Sequence, residues 1–593
     1  MSAPTDTENL ALTAPVIKVA GSPLDVAVQN DLVALRVNKG LSMMARATLR
    51  FVDPGYAIAT SNKFALGTPV EIGINTTSIF KGVVTGASVE QSATQIQELV
   101  VTVDDAAYKL NLAHRIASYE EVSVGDVIKK LASQNGLSVD VPAGGDIYPY
   151  LLQRGSDLSF LESLTRRINC VWYADDQKLI VKKAGGSEGA VEIKASAKLI
   201  DFSVRTSALR PGAVQVKGWD SAQLQAIVGD ESDAPTGGES TFTTNYRKVS
   251  DLSSSTPKIV VDESNPNTAS EATALADSLQ SIWSSEAVVA RGTMFADPAV
   301  KPYTKVTIDG DGPMDGDYVV NEVEHVYTHR GFLTKFVAGP VRSRLLVDTL
   351  KTTSRDPGFV YQGLVTAIVT EVATKAEEFG MVKVKIPSWD DDLASAWARV
   401  VSFGGGTSRG GVFLPEVGDE VLVGFERGDT RHPVVIGGLF GQKTTIAADT
   451  NAVQSGKIDY RRITSRTGHV VELGDGDEDT KSHVKLALGK AGYELRLGAD
   501  RFDIKMPSGK PFLIKVGDAS IEIDAQGNIN VKGLKISIQA QSDIELKANA
   551  QLKAEGTAGV SLHGATAELK GDGTATLQSS GQTAVKGAMV MIN

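Results

Sequence analysis

Cysteine is almost missing from this chain: Cys170 is the single one in 593 residues. One thiol can form no intrachain disulfide and cannot build a thiolate zinc site. Aromatic residues make up only 6%, which disfavours a large aromatic-lined cleft. No run of eighteen apolar residues occurs, so no helical membrane span is expected. The opening MSAPTDTENLALTAPV lacks a basic segment followed by a long apolar one, and a cleaved signal peptide is not expected. Positive charge is not in excess either. The net charge of −11 argues against nucleic-acid binding, which normally shows a basic stripe. What is present fits a globular chain: 42% hydrophobic residues, 22% charged residues and 58 glycines suited to tight turns. The length allows three or four domains. Folding in a reducing compartment, with exit by a route other than ordinary secretion, is the expectation.

Short strands dominate the pattern. Pro15–Val19, Leu32–Val37, Ala45–Phe51, Val70–Ile74, Ile79–Val89 and Leu99–Asp104 alternate with glycine turns and suggest an antiparallel barrel over residues 1–115. A mixed α/β insertion follows over 116–195. Ser123-x-x-Asp126 resembles a capping box, and Ser156 caps a second helix with Leu158, Leu161 and Leu164 on one face. Strands Cys170–Tyr173 and Lys178–Lys182 close it. A second barrel is expected over 196–350, interrupted by a helix that Thr268-x-x-Glu271 opens and that carries Ala272, Leu275, Leu279 and Trp283. Pro357-Gly358 marks a boundary before a compact strand-and-turn unit at 361–442, and the polar stretch KTTIAADTNAVQSGK leads out of it.

The C-terminal part, 461–593, is strand-rich and then repetitive. Apolar pairs two residues apart recur: Ile521/Ile523, Ile529/Val531, Ile536/Ile538, Ile544/Leu546, Leu552/Ala554, Val560/Leu562, Ala567/Leu569, Ala575/Leu577, Thr583/Val585 and Val590/Ile592. Their first members lie 8, 7, 8, 8, 8, 7, 8, 8 and 7 residues apart. An i, i+2 pair is one face of a strand, and a fixed short period means stacked similar units. The period is too short for the coil of a single-chain β-helix. Three chains contributing one strand each per turn would close a triangular prism and leave no free edge. The plain alternative, a disordered Ala/Gly/Ser/Gln tail, fits poorly with so regular an aliphatic register.

Several blocks resemble a known family. The segment GMVKVKIPSWDDDLASAWARVVSFGGGTSRGGVFLPEVGDEVLVGFERGDTRHPVVIGGLFG is similar to the OB-fold of VgrG and phage baseplate spike proteins. RGSDLSFLESLTRRINCVWY looks like the family's head-domain helix and strand, and YVVNEVEHVYTHRGFLTKFVAG and the closing KGAMVMIN fit its barrel and its needle end. The resemblance implies a mainly β chain with minor α: tandem tube-docking barrels in the head, an OB-fold collar, a triple-stranded β-helix needle, and a homotrimer. It implies as partners a hexameric inner-tube protein, baseplate proteins, a PAAR-type tip protein and, transiently, a target membrane, with no nucleic acid. Assembly in the bacterial cytoplasm as part of a contractile particle, released outside or injected, is implied too. Family members can carry a lysozyme between collar and needle or an effector after it. Here only a polar linker fills the first place and the repeat runs to Asn593, so neither is expected. This compact form is more similar to spikes of extracellular phage-tail-like particles than to type VI secretion spikes.

Residues that could carry chemistry read as structural. His325-x-x-x-His329 would hold a metal on a helix, but its β-branched surroundings predict a strand, on which the two rings part by about 13 Å. Asp475, Asp477 and Asp479 have the spacing of a calcium loop, yet Thr480 and Leu486 stand where that loop needs Gly and Glu. Gly404-Gly405-Gly406-Thr407-Ser408 with Gly410-Gly411 lacks the GK[ST] of a phosphate loop. No GxSxG elbow appears, and Cys170 sits in an apolar strand without a basic neighbour. The expectation is therefore no catalytic, metal or cofactor-binding residue and no enzyme. The rival readings are a tail-associated glycan-degrading enzyme and a trimeric adhesin. Residues 513–593 hold no Phe, Tyr or Trp to platform a sugar, and an adhesin would normally carry a secretion signal. The residues expected to matter are a needle core (Ile521, Ile523, Ile529, Val531, Ile536, Ile538, Ile544, Leu546, Val560 and Leu562) and a tip contact (Met589, Val590, Met591, Ile592 and Asn593).

Overall fold

The computed structural model describes residues 14–91, 97–142, 146–221, 223–233, 238–252, 256–261, 266–339, 360–375, 378–390, 393–406, 409–441, 453–454, 456–476 and 482–592. The boundary residues Pro357 and Gly358 and most of the linker after Gly441 lie outside these. The chain divides into two compact units, Met1–Ile446 and Ala447–Asn593.

The first unit begins with antiparallel strands. Pro15–Val19, Leu32–Gly40, Arg46–Val52, Pro69–Ile74, Thr77–Glu90 and Glu98–Asp104 stand where the alternation predicts them. Every second residue turns inward, and Leu35, Val37, Ala47, Leu49, Phe51, Ile72, Val101 and Val103 are fully shielded. A second strand group (Leu199–Thr206, Val288–Phe295, Gly316–Thr328 and Gly331–Ala338) builds its own core on Val288, Met294, Tyr318, Val323 and Phe336. The two groups are joined edge to edge: Gly316–Thr328 pairs with Leu32–Gly40 from Glu322↔Gly40 to Thr328↔Ala34. With Ser22–Pro23, Ala190–Lys194, Glu239–Ser240 and Lys305–Asp309 they form one fourteen-stranded sheet with two cores.

Between them sits the α/β insertion. Ser123 Oγ accepts the Asp126 amide at 3.2 Å and Ser156 Oγ accepts the Ser159 amide at 3.1 Å, so both expected caps start helices, Val124–Gln134 and Asp157–Arg167. Their apolar faces (Val127, Ile128 and Leu131; Phe160, Leu161 and Leu164) close over Trp172. Cys170 is in this core. A further layer seats the helix Ala269–Ser285 on a three-stranded sheet of Ala213–Asp220, Gln225–Ser232 and Lys258–Val261. The helix lies so close that a Cβ on Gly229 would meet the backbone carbon of Ala272 at 2.2 Å. Only glycine fits there.

Val365–Val372, Met381–Lys385, Ala398–Val400, Glu420–Phe425 and Pro433–Gly438 form a closed five-stranded barrel around Ala367, Val369, Val382, Val384, Val421 and Val423. It occupies the segment whose motifs resemble an OB-fold.

The second unit opens with an antiparallel meander of Tyr460–Thr464, Val470–Asp475, Ser482–Leu488, Tyr493–Gly498 and Phe502–Lys505. A three-stranded sheet follows: Phe512–Val516, Ala519–Ile523 and Ile529–Lys532. From 533 to 592 the chain forms no helix or strand, and every residue is exposed.

Candidate functional site

Two arrangements distinguish the molecule: a buried charge cluster that ties the head to the OB barrel, and surfaces in the second unit that one copy leaves uncovered. The cluster starts from a helix cap. Thr268 Oγ1 accepts the Glu271 amide at 3.0 Å, and Glu271 Oε2 accepts the Asn267 amide at 2.8 Å, which fixes the carboxylate. Its other oxygen, Oε1, accepts from Arg167 Nη1 and from Arg431 Nη1, each at 2.8 Å. Arg431 also donates through Nε and Nη2 to Asp429, at 3.1 and 2.8 Å. Three elements meet here: the insertion helix through Arg167, the Ala269–Ser285 helix through Glu271, and the OB barrel through Asp429 and Arg431. Burial alone would raise the pKa of both carboxyls, yet the guanidiniums hold them below the ordinary range. Two cations and two anions balance, which is what allows the group to lie dry.

A second contact runs beside it. The Arg154 guanidinium lies 4.4 Å from the ring centre of Trp389 and 4.8 Å from that of Tyr361. Trp389 stacks on Phe425 at 5.7 Å. The Tyr150 hydroxyl donates to the Ala394 carbonyl at 3.1 Å. Head and barrel are thus joined by ion pairs, an aromatic clamp and a hydrogen bond, none of them between residues close in sequence.

In the second unit the meander presents two unlike faces. One carries the cross-strand rows Ile463–Val471–Leu486–Leu495–Ile504 and Leu473–Val484–Leu497–Phe502. The first row is 37 to 53% exposed. The opposite face carries Arg462, Glu472, Lys485, Arg496 and Asp503 in one row, with Glu472 paired to Arg462 and to His483 Nε2. The charged face is the better shielded at Glu472, 4% exposed, while the apolar face meets water. That is the reverse of a sheet that buries its own core.

The expected needle residues divide in two. Ile521, Ile523, Ile529 and Val531 share one face of the three-stranded sheet, with Ile521↔Val531 and Ile523↔Ile529 directly opposite. Ile536, Ile538, Ile544, Leu546, Val560 and Leu562 lie in the stretch after 532 and are 53 to 88% exposed. That stretch bends at Leu534, Gln541, Asn549, Thr557, Ala565, Asp572, Ser580 and Ala588. Successive bends are 7, 8, 8, 8, 7, 8 and 8 residues apart, and each falls two or three residues before an apolar pair. Met589, Val590, Met591 and Ile592 are exposed; Asn593 lies outside the described residues.

The weighed chemistries come apart in the fold. His325 lies in the strand Gly316–Thr328, as its surroundings predict, with Nδ1 2.9 Å from Thr334 Oγ1. Burial pushes its pKa down to about 3, so the ring is neutral. His329 falls just beyond that strand. Cys170 is 3% exposed and burial pushes its thiol up to about 11, which makes it inert. Gly405–Gly406 pairs with Arg409–Gly410 in a small ribbon, with Thr407 and Ser408 outside the described residues. Asp475 ends a strand; Asp477, Asp479 and Thr480 lie outside the described residues. Among the described residues, no three His, Cys, Asp or Glu side chains are grouped to hold a metal ion.

Residues 365–440 match the family described as the type VI secretion system/phage-baseplate injector OB domain. Spike protein VgrG5 of Pseudomonas aeruginosa is 33% identical over 156 residues, 22% of this chain and 20% of that relative. Spike protein VgrG3 of Vibrio cholerae is 35% identical over 88 residues, 13% of this chain and 9% of that one. The match thus spans a fifth or less of these relatives' length. A chain in the structure of the Francisella PdpA-VgrG complex superimposes with a TM-score of 0.53 at 9% identity, covering 84% of this chain and 81% of that one, which establishes likeness of fold. These relatives and the OB-domain family are those of VgrG-type spikes and phage baseplates. The chain belongs to the family described as the Alg8 N-terminal domain, which matches residues 9–329, more than half its length. The expectation of a non-enzymatic protein agrees with relatives named as spike proteins.

Proposed function

We propose that the chain is the central spike of a contractile injection particle, acting as a homotrimer whose repeat closes into a three-chain needle. One observation carries this reading. The stretch 533–592 keeps its bends in step with its apolar pairs, yet buries none of them within one copy. A chain shaped that regularly with no partner of its own is built to pair with others, and strands of the same sequence supply a matching period. The uncovered apolar face of the meander supports the same assembly, since three copies could turn it inward. Segments 1–115 and 196–350 would then dock on a hexameric inner tube, 361–442 would form the collar, and 461–593 the needle. Met589, Val590, Met591, Ile592 and Asn593 would receive a PAAR-type tip protein, the flexible methionines adapting to it. Baseplate proteins would gather around the head, and sheath contraction would press the narrow end through a target membrane. Light scattering of the purified protein at micromolar concentration tests the core of this. A trimer is expected, and a stable monomer would refute it.

A further inference from the structure

The OB barrel leaves an apolar patch open to water. A Cβ on Gly424 would lie 3.2 Å from Leu364 Cδ2 and 3.4 Å from Ile436 Cδ1, so these two side chains flank a bare glycine on the outside of the barrel. Val401 runs alongside, its amide donating to the Val435 carbonyl at 2.9 Å. Two residues on, the Phe403 ring lies against Gly411 and meets Phe413 with ring centres 5.3 Å apart, and Ser402 Oγ ties this loop to the Gly411 carbonyl. Leu364, Val401, Phe403, Val412, Phe413 and Ile436 are 45 to 73% exposed. None has a polar side-chain atom. Together they leave on the order of 600 Å² of apolar surface in water, the upper end of what a monomer normally exposes.

We propose that this patch is where the OB barrels of three copies meet, each against the same patch of its neighbours. The inference rests on the homotrimer reading and adds to it a contact outside the repeat. Size selects a second copy over a different protein. A free-standing interface buries about 800 Å² on each side. This patch alone falls short of that, so it suits copies already held together elsewhere. Chain length points the same way. Only eleven residues separate Gly441 from Val453, about 40 Å at full stretch, so copies joined through 461–593 keep their barrels near one another. The patch is also compatible with itself. Identical copies bring no like charges together there, and Phe403 and Phe413 supply the aromatic side chains that interface cores favour.

Cysteine cross-linking of the full-length protein tests it. Cys170 is buried and inert, so the native chain gives a blank. Val412→Cys places a thiol in the patch, and Thr374→Cys places one past the other end of the strand Val365–Val372 from Leu364. With a short bis-maleimide, Val412→Cys should give a covalent dimer on a denaturing gel and Thr374→Cys none. Adding Phe403→Ser and Phe413→Ser to Val412→Cys should cut the cross-linked yield several-fold, while light scattering still finds a trimer. All four positions are exposed, and an unchanged thermal midpoint will show that the variants fold. A trimer in which Val412→Cys does not cross-link, or in which Thr374→Cys links equally well, would overturn the barrel contact and leave the trimer reading standing. So would an undiminished yield once both rings are removed. A monomer by light scattering would overturn both.

Discussion

Arg431 and Glu271, 160 residues apart in the chain, meet at 2.8 Å with the arginine side chain 1% and the carboxylate 2% exposed. The same carboxylate oxygen holds Arg167 of the head insertion. Removing the carboxylate would take from two buried guanidiniums the anion they share. Glu271→Ala should therefore cost about 3–5 kcal/mol of the stability of the first unit, read from urea unfolding. Lys553→Ala should change nothing measurable, because the Lys553–Glu555 pair is 74% exposed on both sides. Both Glu271 and Asp429 titrate below their ordinary values in the folded state. Their stabilisation is present above the unfolded pKa and is lost as pH falls through the folded one, so the unit should weaken below about pH 4. Equal midpoints for Glu271→Ala and the native protein would contradict the burial assigned to this cluster.

Asp105 should act in the opposite sense. It accepts the Ala45 and Ala107 amides at 2.9 and 3.0 Å, and it is 3% exposed. Burial outweighs those two bonds and nearby Lys39, with Asp104 adding repulsion, and pushes its pKa up to about 7. The folded chain thus holds a proton that the unfolded chain releases near its ordinary pKa of 3.8. This group's contribution to stability falls as pH rises from about 4 to about 7 and is level above that. In Asp105→Asn the drop in thermal midpoint between pH 5.5 and pH 8 should shrink. An unchanged drop would mean that other groups set it.

Local chemistry was legible in the sequence. Ser123, Ser156 and Thr268 cap the helices they were expected to cap, since a cap depends on a side chain and an amide three residues away. Alternation located the strands expected over residues 1–115 to within three residues at their ends. The OB barrel was readable only as a resemblance, because its strands are short and its closure pairs Ala398–Val400 in parallel with Pro433–Gly438. The Arg431–Glu271 contact was not legible. Nothing in a charged residue's own neighbourhood tells whether its partner lies 160 positions away, and an acidic chain offers many candidates. The same limit hid the pairing of Gly316–Thr328 with Leu32–Gly40.

Gly229 stands inside the strand Gln225–Ser232, and the helix packed on that strand gives the reason. An added Cβ would strike the Ala272 and Thr273 backbone at 2.2 and 2.3 Å, and backbone cannot swing aside as a flexible side-chain end can. Gly229→Ala should push the Ala269–Ser285 helix off its sheet and cost about 1–3 kcal/mol. Gly437→Ala, where a Cβ meets nothing within 4 Å, should be far milder. Thermal unfolding of the two variants separates them, and a Gly229→Ala midpoint at or above that of Gly437→Ala would show that the helix has room to move.

The register of the repeat gives the sharpest test of the three-chain needle. Ile544 and Leu546 form one apolar pair, and in a needle strand Glu545 between them would point the other way. The bends at Gln541 and Asn549 bracket this pair as others bracket their own, so one register should hold throughout the stretch. If the pairs face a shared axis, Ile544→Asp places three carboxylates together in a dry interior, where desolvation and mutual repulsion add. Glu545→Lys only changes a charge already in water. Size-exclusion with light scattering should find a lost or loosened trimer for Ile544→Asp and an intact one for Glu545→Lys. Matching losses would place both residues at contacts and break the alternation. Matching survival would show that the repeat holds no axis, and the three-chain closure would have to be given up while the OB barrel and the head stand as described.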